Sequence, residues 1–276
     1  MRVAAPAEDK VKDGDPAGAL ALLQQEVKAK PADPKLRVFL FQLLCVLGQW
    51  DRALNQLTVA AELDPAAIPM QQTYGDAVRC EAVRAGVFAG TKVPMIFGEP
   101  DPWLALLVES VLAAGRGEKA QSEALRARAF EDAPTSPGTL NGQPFAWIAD
   151  ADPRLGPVLE AIVNGRYYWV PFARLRAIEM EAPEDLRDVV WMPAHLEFAN
   201  GGESVALIPT RYPGSEQSAD GAVALARKTT WEEVAPDVHC GLGQRIFTTD
   251  VDEVPIMDVR RITIGDEASP DAVPGA

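Results

Sequence analysis

Residues 14–31 read GDPAGALALLQQEVKAKP, and residues 48–65 read GQWDRALNQLTVAAELDP. The second copy begins 34 residues after the first and aligns with it without a gap. A spacing of 34 residues is the tetratricopeptide period. A glycine opens each copy at a turn, Ala19 and Ala53 are small where two helices would touch, and a proline closes each copy. This match predicts stacked helical hairpins.

The rest of the first half continues the helical pattern more loosely. Residues 34–47 carry leucines at helical spacing, which predicts the first helix of a hairpin. Three further helices are predicted, over residues 70–88, 103–114 and 118–132. A loop rich in Gly and Pro is predicted over residues 90–102. The sequence therefore predicts a tetratricopeptide-like α-helical domain over residues 1–134.

The pattern of residue types changes after a cluster of turn-forming residues at 134–142, which is the predicted domain boundary. Beyond it, short β-branched and aromatic runs predict a small, mostly antiparallel sheet or a partly open barrel over residues 143–264. Two helices are predicted within this domain, over residues 154–164 and 220–228. Residues 265–276 are acidic and contain proline, so we expect a disordered tail. The predicted fold is α+β with two domains.

Composition and charge exclude several classes of function. The formal net charge is −14, which disfavours binding to a phosphate backbone, so we expect no nucleic acid partner. The apolar runs are shorter than the roughly 20 residues of a membrane span, and the N-terminus lacks the apolar region of a secretory signal. We therefore expect a cytoplasmic protein without a membrane partner. Three widely spaced cysteines predict neither disulfides nor a zinc site, and no cofactor is expected.

His239 followed by Cys240 is the pair on which a hydrolase hypothesis could be built. Neighbouring residues of a strand point to opposite faces, so these two side chains would not form a nucleophile and its base. His195 lies among apolar residues without a second ligand at useful spacing for a metal. The acidic run over residues 179–188 is interpreted as a solvated face. These patterns favour a protein that is not an enzyme.

Val38, Gln42 and Cys45 lie at positions i, i+4 and i+7 of the helix predicted over residues 34–47, on the face opposite its leucines. An apolar face that remains after the hairpin core is filled suits a helix that binds in a groove. Burial against the next hairpin or the second domain would explain the same pattern. Arg211 and Tyr212 stand in a Pro-containing turn, where they would either contact a partner or stabilise the turn. These five residues are the candidate partner-binding residues.

Four strings in the chain are distinctive. They read LRVFLFQLLCVLGQWDRAL at residues 36–54, FGEP at 97–100, NGRYYWVP at 164–171 and IPTRYPGS at 208–215. On these strings the chain resembles the ImpE/TagJ family, which are accessory proteins of the bacterial type VI secretion system. The resemblance implies a cytoplasmic, non-enzymatic adaptor that binds the N-terminal helix of the small subunit of the contractile sheath. It also implies a link to ClpV, the AAA+ unfoldase that recycles contracted sheath. A tetratricopeptide-like scaffold that serves another assembly is the alternative hypothesis.

Overall fold

The computed structural model describes residues 5–236 and 238–265. Its α-helices are α1 (Ala5–Lys12), α2 (Pro16–Ala29), α3 (Pro34–Val46), α4 (Trp50–Leu63), α5 (Ile68–Phe88), α6 (Pro102–Gly115), α7 (Lys119–Asp132) and α8 (Gly221–Ala224). Seven of the eight precede the main sheet-forming half of the chain. The tail predicted over residues 265–276 lies outside the described residues, apart from Gly265.

The 34-residue repeat is confirmed in the structure. Helices α2 and α4 begin and end at positions 34 residues apart, and each follows a glycine turn. Gly14 and Gly48 have φ angles of 80° and 63°, a backbone conformation that favours residues without a Cβ. The Asp15 side chain accepts a hydrogen bond of 2.7 Å from the Gly18 N–H and so caps α2. The first four helices therefore form two stacked hairpins.

The helices predicted over residues 70–88, 103–114 and 118–132 are confirmed as α5, α6 and α7. Helices α6 and α7 form a third hairpin, and a buried hydrogen bond of 2.8 Å from Ser110 Oγ to the Ser122 carbonyl joins them. The long helix α5 contacts α4, α6 and the sheet. Helix α5 therefore connects the helical half to the strands.

The strands are β1 (Met95–Ile96), β2 (Gly138–Leu140), β3 (Gln143–Phe145), β4 (Ile148–Asp150), β5 (Val158–Val163), β6 (Arg166–Pro171), β7 (Leu175–Glu179), β8 (Trp191–Phe198), β9 (Glu203–Pro209), β10 (Thr229–Ala235), β11 (Val238–Gly243), β12 (Ile246–Thr249), β13 (Glu253–Pro255) and β14 (Arg261–Ile264). Nine of them form one sheet in the order β1-β6-β5-β9-β8-β7-β14-β2-β3. Strands β10 and β11 pair separately, and β4, β12 and β13 form a third sheet.

The main sheet is open, because β1 and β3 stand at its two edges. Among the described residues this sheet is therefore not a closed barrel, and the predicted α+β class with a mostly antiparallel sheet is confirmed. All pairings in this sheet are antiparallel except that of β1, which runs parallel to β6 with Met95 opposite Tyr168. The loop predicted over residues 90–102 thus contributes an edge strand.

Two helix predictions in the second half need correction. Residues 154–164 were expected to be helical, but Val158–Val163 form β5, in which every residue is buried. A strand buried on both faces reads as a continuous apolar run, and spacing alone cannot distinguish such a run from a helix stripe. The helix predicted over residues 220–228 is limited to the four residues of α8, and Ala226 has a positive φ of 52° just after it.

Two apolar cores lie on the two faces of the main sheet. The first contains residues from the helices, such as Leu40 and Tyr74, together with Trp169, Trp191 and Leu207 from the strands. The second lies on the opposite face and is built from strand and loop residues of the second half. The helical and sheet-forming halves therefore share the first core. The division into domains 1–134 and 143–264 stays a prediction, because a change of secondary structure does not by itself show independent folding.

Candidate functional site

Helix α3 is the element that positions the first three candidate residues. Asp33 caps it by accepting hydrogen bonds of 3.0 Å from Lys35 N–H and 3.4 Å from Leu36 N–H, and Pro34 occupies its first turn. Its leucines face the first core and are buried. The other face of the helix therefore decides what α3 offers to a partner.

Val38 and Gln42 line an open cleft of about 720 Å³, which we call the α3 cleft. Residues from α1, from α3, from the turn that follows α4 and from the connection between β7 and β8 form its walls. The lining residues are Glu8, Val11, Lys12, Pro34, Lys35, Val38, Phe39, Gln42, Asp64, Ala67, Pro183, Glu184, Asp185, Leu186 and Val189. Val38 and Gln42 are half-buried, so both are accessible from the cleft.

Cys45 lies elsewhere on α3, outside the α3 cleft. Its side chain is 0% exposed and belongs to the first core. Burial raises the pKa of the Cys45 thiol well above its ordinary value, and the nearby Arg211 guanidinium only partly opposes this effect. The thiol is therefore a neutral, apolar core group. The burial expected as the alternative explanation for this face applies to Cys45 but only partly to Val38 and Gln42.

The 180–190 segment, which connects β7 to β8, forms one wall of the α3 cleft. The Arg187 guanidinium lies 4.8 Å from the centre of the Tyr74 ring and pairs with Asp185. The Asp188 carboxylate accepts hydrogen bonds of 2.7 Å and 3.0 Å from the N–H groups of Glu184 and Asp185. The segment is thus fixed both to itself and to α5. Sequence reasoning missed this wall, because residues 179–188 read as a solvated acidic face.

Arg211 is buried rather than exposed in a turn, with 4% of its surface accessible. Its Nη1 donates a hydrogen bond of 2.8 Å to the Val46 carbonyl, and its Nη2 donates one of 3.3 Å to the Cys45 carbonyl. These carbonyls belong to the last turn of α3, where a cation is favourable. Burial lowers the pKa of Arg211 to about 10. Arg211 therefore caps α3 from the sheet-forming half and is not accessible as a surface contact.

Tyr212 is also buried, with 0% of its surface accessible. Its hydroxyl donates a hydrogen bond of 3.2 Å to the Ile246 carbonyl and accepts one of 3.0 Å from the Ile246 N–H. The ring lies against Gly241, where a Cβ would come within 2.3 Å of the ring. Burial raises the pKa of the Tyr212 hydroxyl far above its ordinary value. Tyr212 therefore connects its segment to β12 and, like Arg211, is not accessible as a surface contact.

A buried ion network surrounds Glu160 between α5 and the sheet. The Glu160 carboxylate accepts hydrogen bonds of 2.7 Å and 3.0 Å from Arg84, and it also pairs with Arg245. The Tyr167 hydroxyl donates to the same carboxylate and accepts a hydrogen bond of 2.9 Å from Trp169 Nε1. Burial by itself would raise the pKa of Glu160, but the two guanidiniums lower it to about 2. We call this set the Glu160 network.

The Glu160 network extends from the C-terminal end of α3 to Asp150 on β4. Arg84 Nη2 donates a hydrogen bond of 2.7 Å to the Arg211 carbonyl, which connects the network to the residue that caps α3. At the other end, Arg245 pairs with Asp150. Burial raises the pKa of Asp150 to about 6, against the opposing effect of Arg245. In the sequence, the signal that points to this network is Glu160, a single charged residue inside the otherwise apolar run of Val158–Val163.

The aromatic cluster at residues 167–169 belongs to this region. Tyr167 and Trp169 share one face of β6 and are buried, whereas Tyr168 points to the other face and packs against Phe97 at 5.7 Å between ring centres. The cluster is therefore mainly part of the two cores.

The residues of the hydrolase hypothesis do not form a catalytic pair. Both lie on β11, where His239 is exposed and Cys240 is buried on the opposite face. Burial raises the pKa of the Cys240 thiol to about 11, so the thiolate needed for attack is scarce at neutral pH. His195 is exposed on β8 with its Nε2 3.4 Å from Glu203. Across residues 5–236 and 238–265, no three His, Cys, Asp or Glu side chains are grouped as metal ligands.

Within the part of the chain that the structure describes, no helix is long and apolar enough to cross a membrane. The tetratricopeptide repeat model matches residues 10–73, and the model of the ImpE protein family matches residues 142–263. The type VI secretion system accessory component TagJ of Pseudomonas aeruginosa is 51% identical to the chain over 262 residues. This match covers 94% of the chain and 91% of that protein. The chain belongs to the ImpE/TagJ family.

A solved structure shares the fold of this ImpE/TagJ family member. The crystal structure of protein VPA1032 from Vibrio parahaemolyticus superposes with a TM-score of 0.86 at 26% sequence identity. The superposition covers 95% of the chain and 98% of that protein. The α3 cleft lies where the two matched regions meet, because α3 belongs to the repeat match and the 180–190 segment to the ImpE match.

Proposed function

We propose that this ImpE/TagJ protein is a cytoplasmic, non-enzymatic adaptor of the type VI secretion system. In this proposal it binds the N-terminal helix of the small sheath subunit in the α3 cleft, and it connects the sheath to recycling by ClpV. The observation that carries the proposal is an accessible, largely apolar cleft on a tetratricopeptide helix in a chain that is 51% identical to a type VI accessory component. An amphipathic helix lays its apolar face into a groove of this kind.

The contact residues that we propose are Val38 and Gln42. Both are half-buried on α3 and line the α3 cleft, beside the apolar side chains of Val11 and Phe39. A partner helix would cover this apolar surface and remove it from water, which favours binding in proportion to the apolar area buried. Cys45 supports α3 from the core side, and Arg211 holds its C-terminal end.

The test is a titration of the full chain against a fluorescent peptide of the N-terminal helix of the small sheath subunit. Val38→Asp places a charge in the α3 cleft and should weaken binding at least tenfold, which is about 1.4 kcal/mol. Val93→Asp is the matched control, since Val93 is 62% exposed and does not line the cleft. Circular dichroism must show that both variants are folded. Equal affinities of the two folded variants would exclude the α3 cleft.

The alternative is a tetratricopeptide-like scaffold that serves another assembly. A peptide that fails to bind the wild-type chain, together with an absence of the sheath subunit from pull-downs, would favour it. The ClpV connection has a separate test. A pull-down through the chain should retain ClpV only when the small sheath subunit is present, since we propose that the connection is indirect.

A further inference from the structure

The α3 cleft is built from two distant parts of the chain. Helix α3 supplies one wall, and the 180–190 segment supplies another through Leu186 and Val189. Both of these apolar residues are half-buried and pack against the first core, so they are anchored but still face the cleft. A ligand in the cleft therefore meets residues separated by more than 100 positions in the sequence.

The 180–190 segment is a preformed wall. Beside the Asp188 cap at its start, the Thr210 hydroxyl donates a hydrogen bond of 2.6 Å to the Asp188 carbonyl, and the Thr210 N–H donates one of 3.0 Å to the Val190 carbonyl. Arg187 holds the middle of the segment against Tyr74. A wall that is already ordered costs little conformational entropy when a ligand binds.

The two walls carry opposite charges at the cleft. Glu184 stands on the 180–190 segment and Lys35 on α3, and both side chains are exposed. Over the described ranges 5–236 and 238–265, neither side chain makes a hydrogen bond or an ion pair, whereas neighbouring Asp185 is paired with Arg187. These two charges are therefore available to a ligand.

We propose that the partner helix is clamped between α3 and the 180–190 segment, and that Glu184 and Lys35 fix the direction in which it lies. The inference rests on the proposed function and adds the second wall, the charge pattern of the ligand and its orientation. The ligand is an amphipathic helix whose apolar stripe is flanked by a basic residue towards Glu184 and an acidic residue towards Lys35. Reversing such a helix with its stripe kept in the cleft exchanges its two flanks. Glu184 would then face the acidic flank of the helix and Lys35 its basic flank, so both contacts would be repulsive.

The test uses the full chain and the sheath-subunit peptide. Glu184→Lys and Lys35→Glu should each weaken binding about threefold to tenfold at low salt, since each replaces a rim attraction with a repulsion. The loss should shrink in 0.5 M NaCl, because salt screens exposed charges. Glu123→Lys on α7 is the matched control and should leave the affinity unchanged, since Glu123 is exposed and lies outside the α3 cleft.

A rescue experiment tests the orientation. A peptide with its basic and acidic flanks exchanged should bind the wild-type chain more weakly, and the double variant Glu184→Lys with Lys35→Glu should restore its affinity. Leu186→Ala should weaken the original peptide at least threefold without loss of helix or sheet signal. If Val38→Asp weakens binding while Glu184→Lys, Lys35→Glu and Leu186→Ala do not, the clamp is wrong and the proposed function stands. If the wild-type chain does not bind the peptide, both are wrong.

Discussion

The α3 cleft and the Glu160 network both reach helix α3, but the cleft leaves apolar side chains exposed and the network buries charged ones. In the cleft, apolar side chains such as Val38 remain half-exposed and the charges stand at the rim. In the network, Glu160, Arg84 and Arg245 are buried and paired with each other. Unfilled apolar surface favours binding, whereas a buried charge tolerates no loss of its partner. We therefore expect mutations in the cleft to change affinity and mutations in the network to change stability.

The largest expected effect comes from separating the two halves. Residues 1–134 expressed alone would lose the strand residues of the first core and the Arg211 contacts at the end of α3. Arg84 would also lose Glu160. We expect this fragment to unfold without a cooperative transition in urea, monitored by circular dichroism. A cooperative transition would support an independent domain at 1–134 and would weaken the role assigned to the network.

Glu160→Gln should have the next largest effect. It removes the charge that Arg84 and Arg245 share and leaves two guanidiniums buried without full compensation. Breaking a buried pair in this way costs roughly 3–5 kcal/mol of unfolding free energy. Urea unfolding of the variant and of Glu123→Gln, which changes an exposed carboxylate, gives the comparison. A shift no larger than that of the control would show that the network contributes little.

The wild-type chain should lose stability in acid through Glu160. Its pKa of about 2 lies below the ordinary 4.5, so its contribution is complete above pH 4.5 and is lost as the pH falls towards 2. This loss amounts to about 3 kcal/mol of unfolding free energy. The pKa of Asp150 is raised to about 6, so its contribution to stability has the opposite pH dependence. That contribution is lost as the pH rises from about 4 to 6. Urea titrations from pH 2 to 7 should show a smaller acid loss for Glu160→Gln than for the wild-type chain.

Gln42→Ala should give the smallest change in stability. Gln42 is half-buried on the wall of the α3 cleft, and no buried charge depends on it. The free energy of unfolding should change by less than about 0.5 kcal/mol, as for most surface substitutions. Affinity for the sheath-subunit peptide should fall by about 1 kcal/mol through the lost contact. If instead the variant is destabilised as strongly as Glu160→Gln, the cleft and the network are not separate in function.

The helical half could be predicted from its sequence because its signals are local. The 34-residue offset, the glycine turns and the spacing of the leucines lie within single hairpins, and α2 and α4 follow them residue for residue. Strand β5 shows why the second half was harder. Its six residues are buried by neighbours that lie far away in the chain, so the alternation typical of a half-exposed strand is absent.

The candidate site divides in the same way. Val38 and Gln42 followed from helical spacing on α3, and both line the cleft. Arg211 and Tyr212 are predicted to stand in a turn, but Arg211 forms a β-bridge with Gln244, and both side chains are buried with hydrogen bonds to α3 and β12. A residue type and a turn signal do not report whether another element covers the turn. The second wall at 180–190 carried no local signal beyond its charge.

By itself, the sequence determined the repeat, the α+β class, the membership of the ImpE/TagJ family and the face of α3 on which a partner is proposed to bind. Only the tertiary structure decided that the 180–190 segment completes the α3 cleft, that Arg211 caps α3 and that Glu160 is the centre of a buried network. The physical reason is the separation in sequence between the residues that interact. Helical periodicity and turn chemistry act between residues a few positions apart, whereas burial and charge pairing depend on which distant segments the fold brings together.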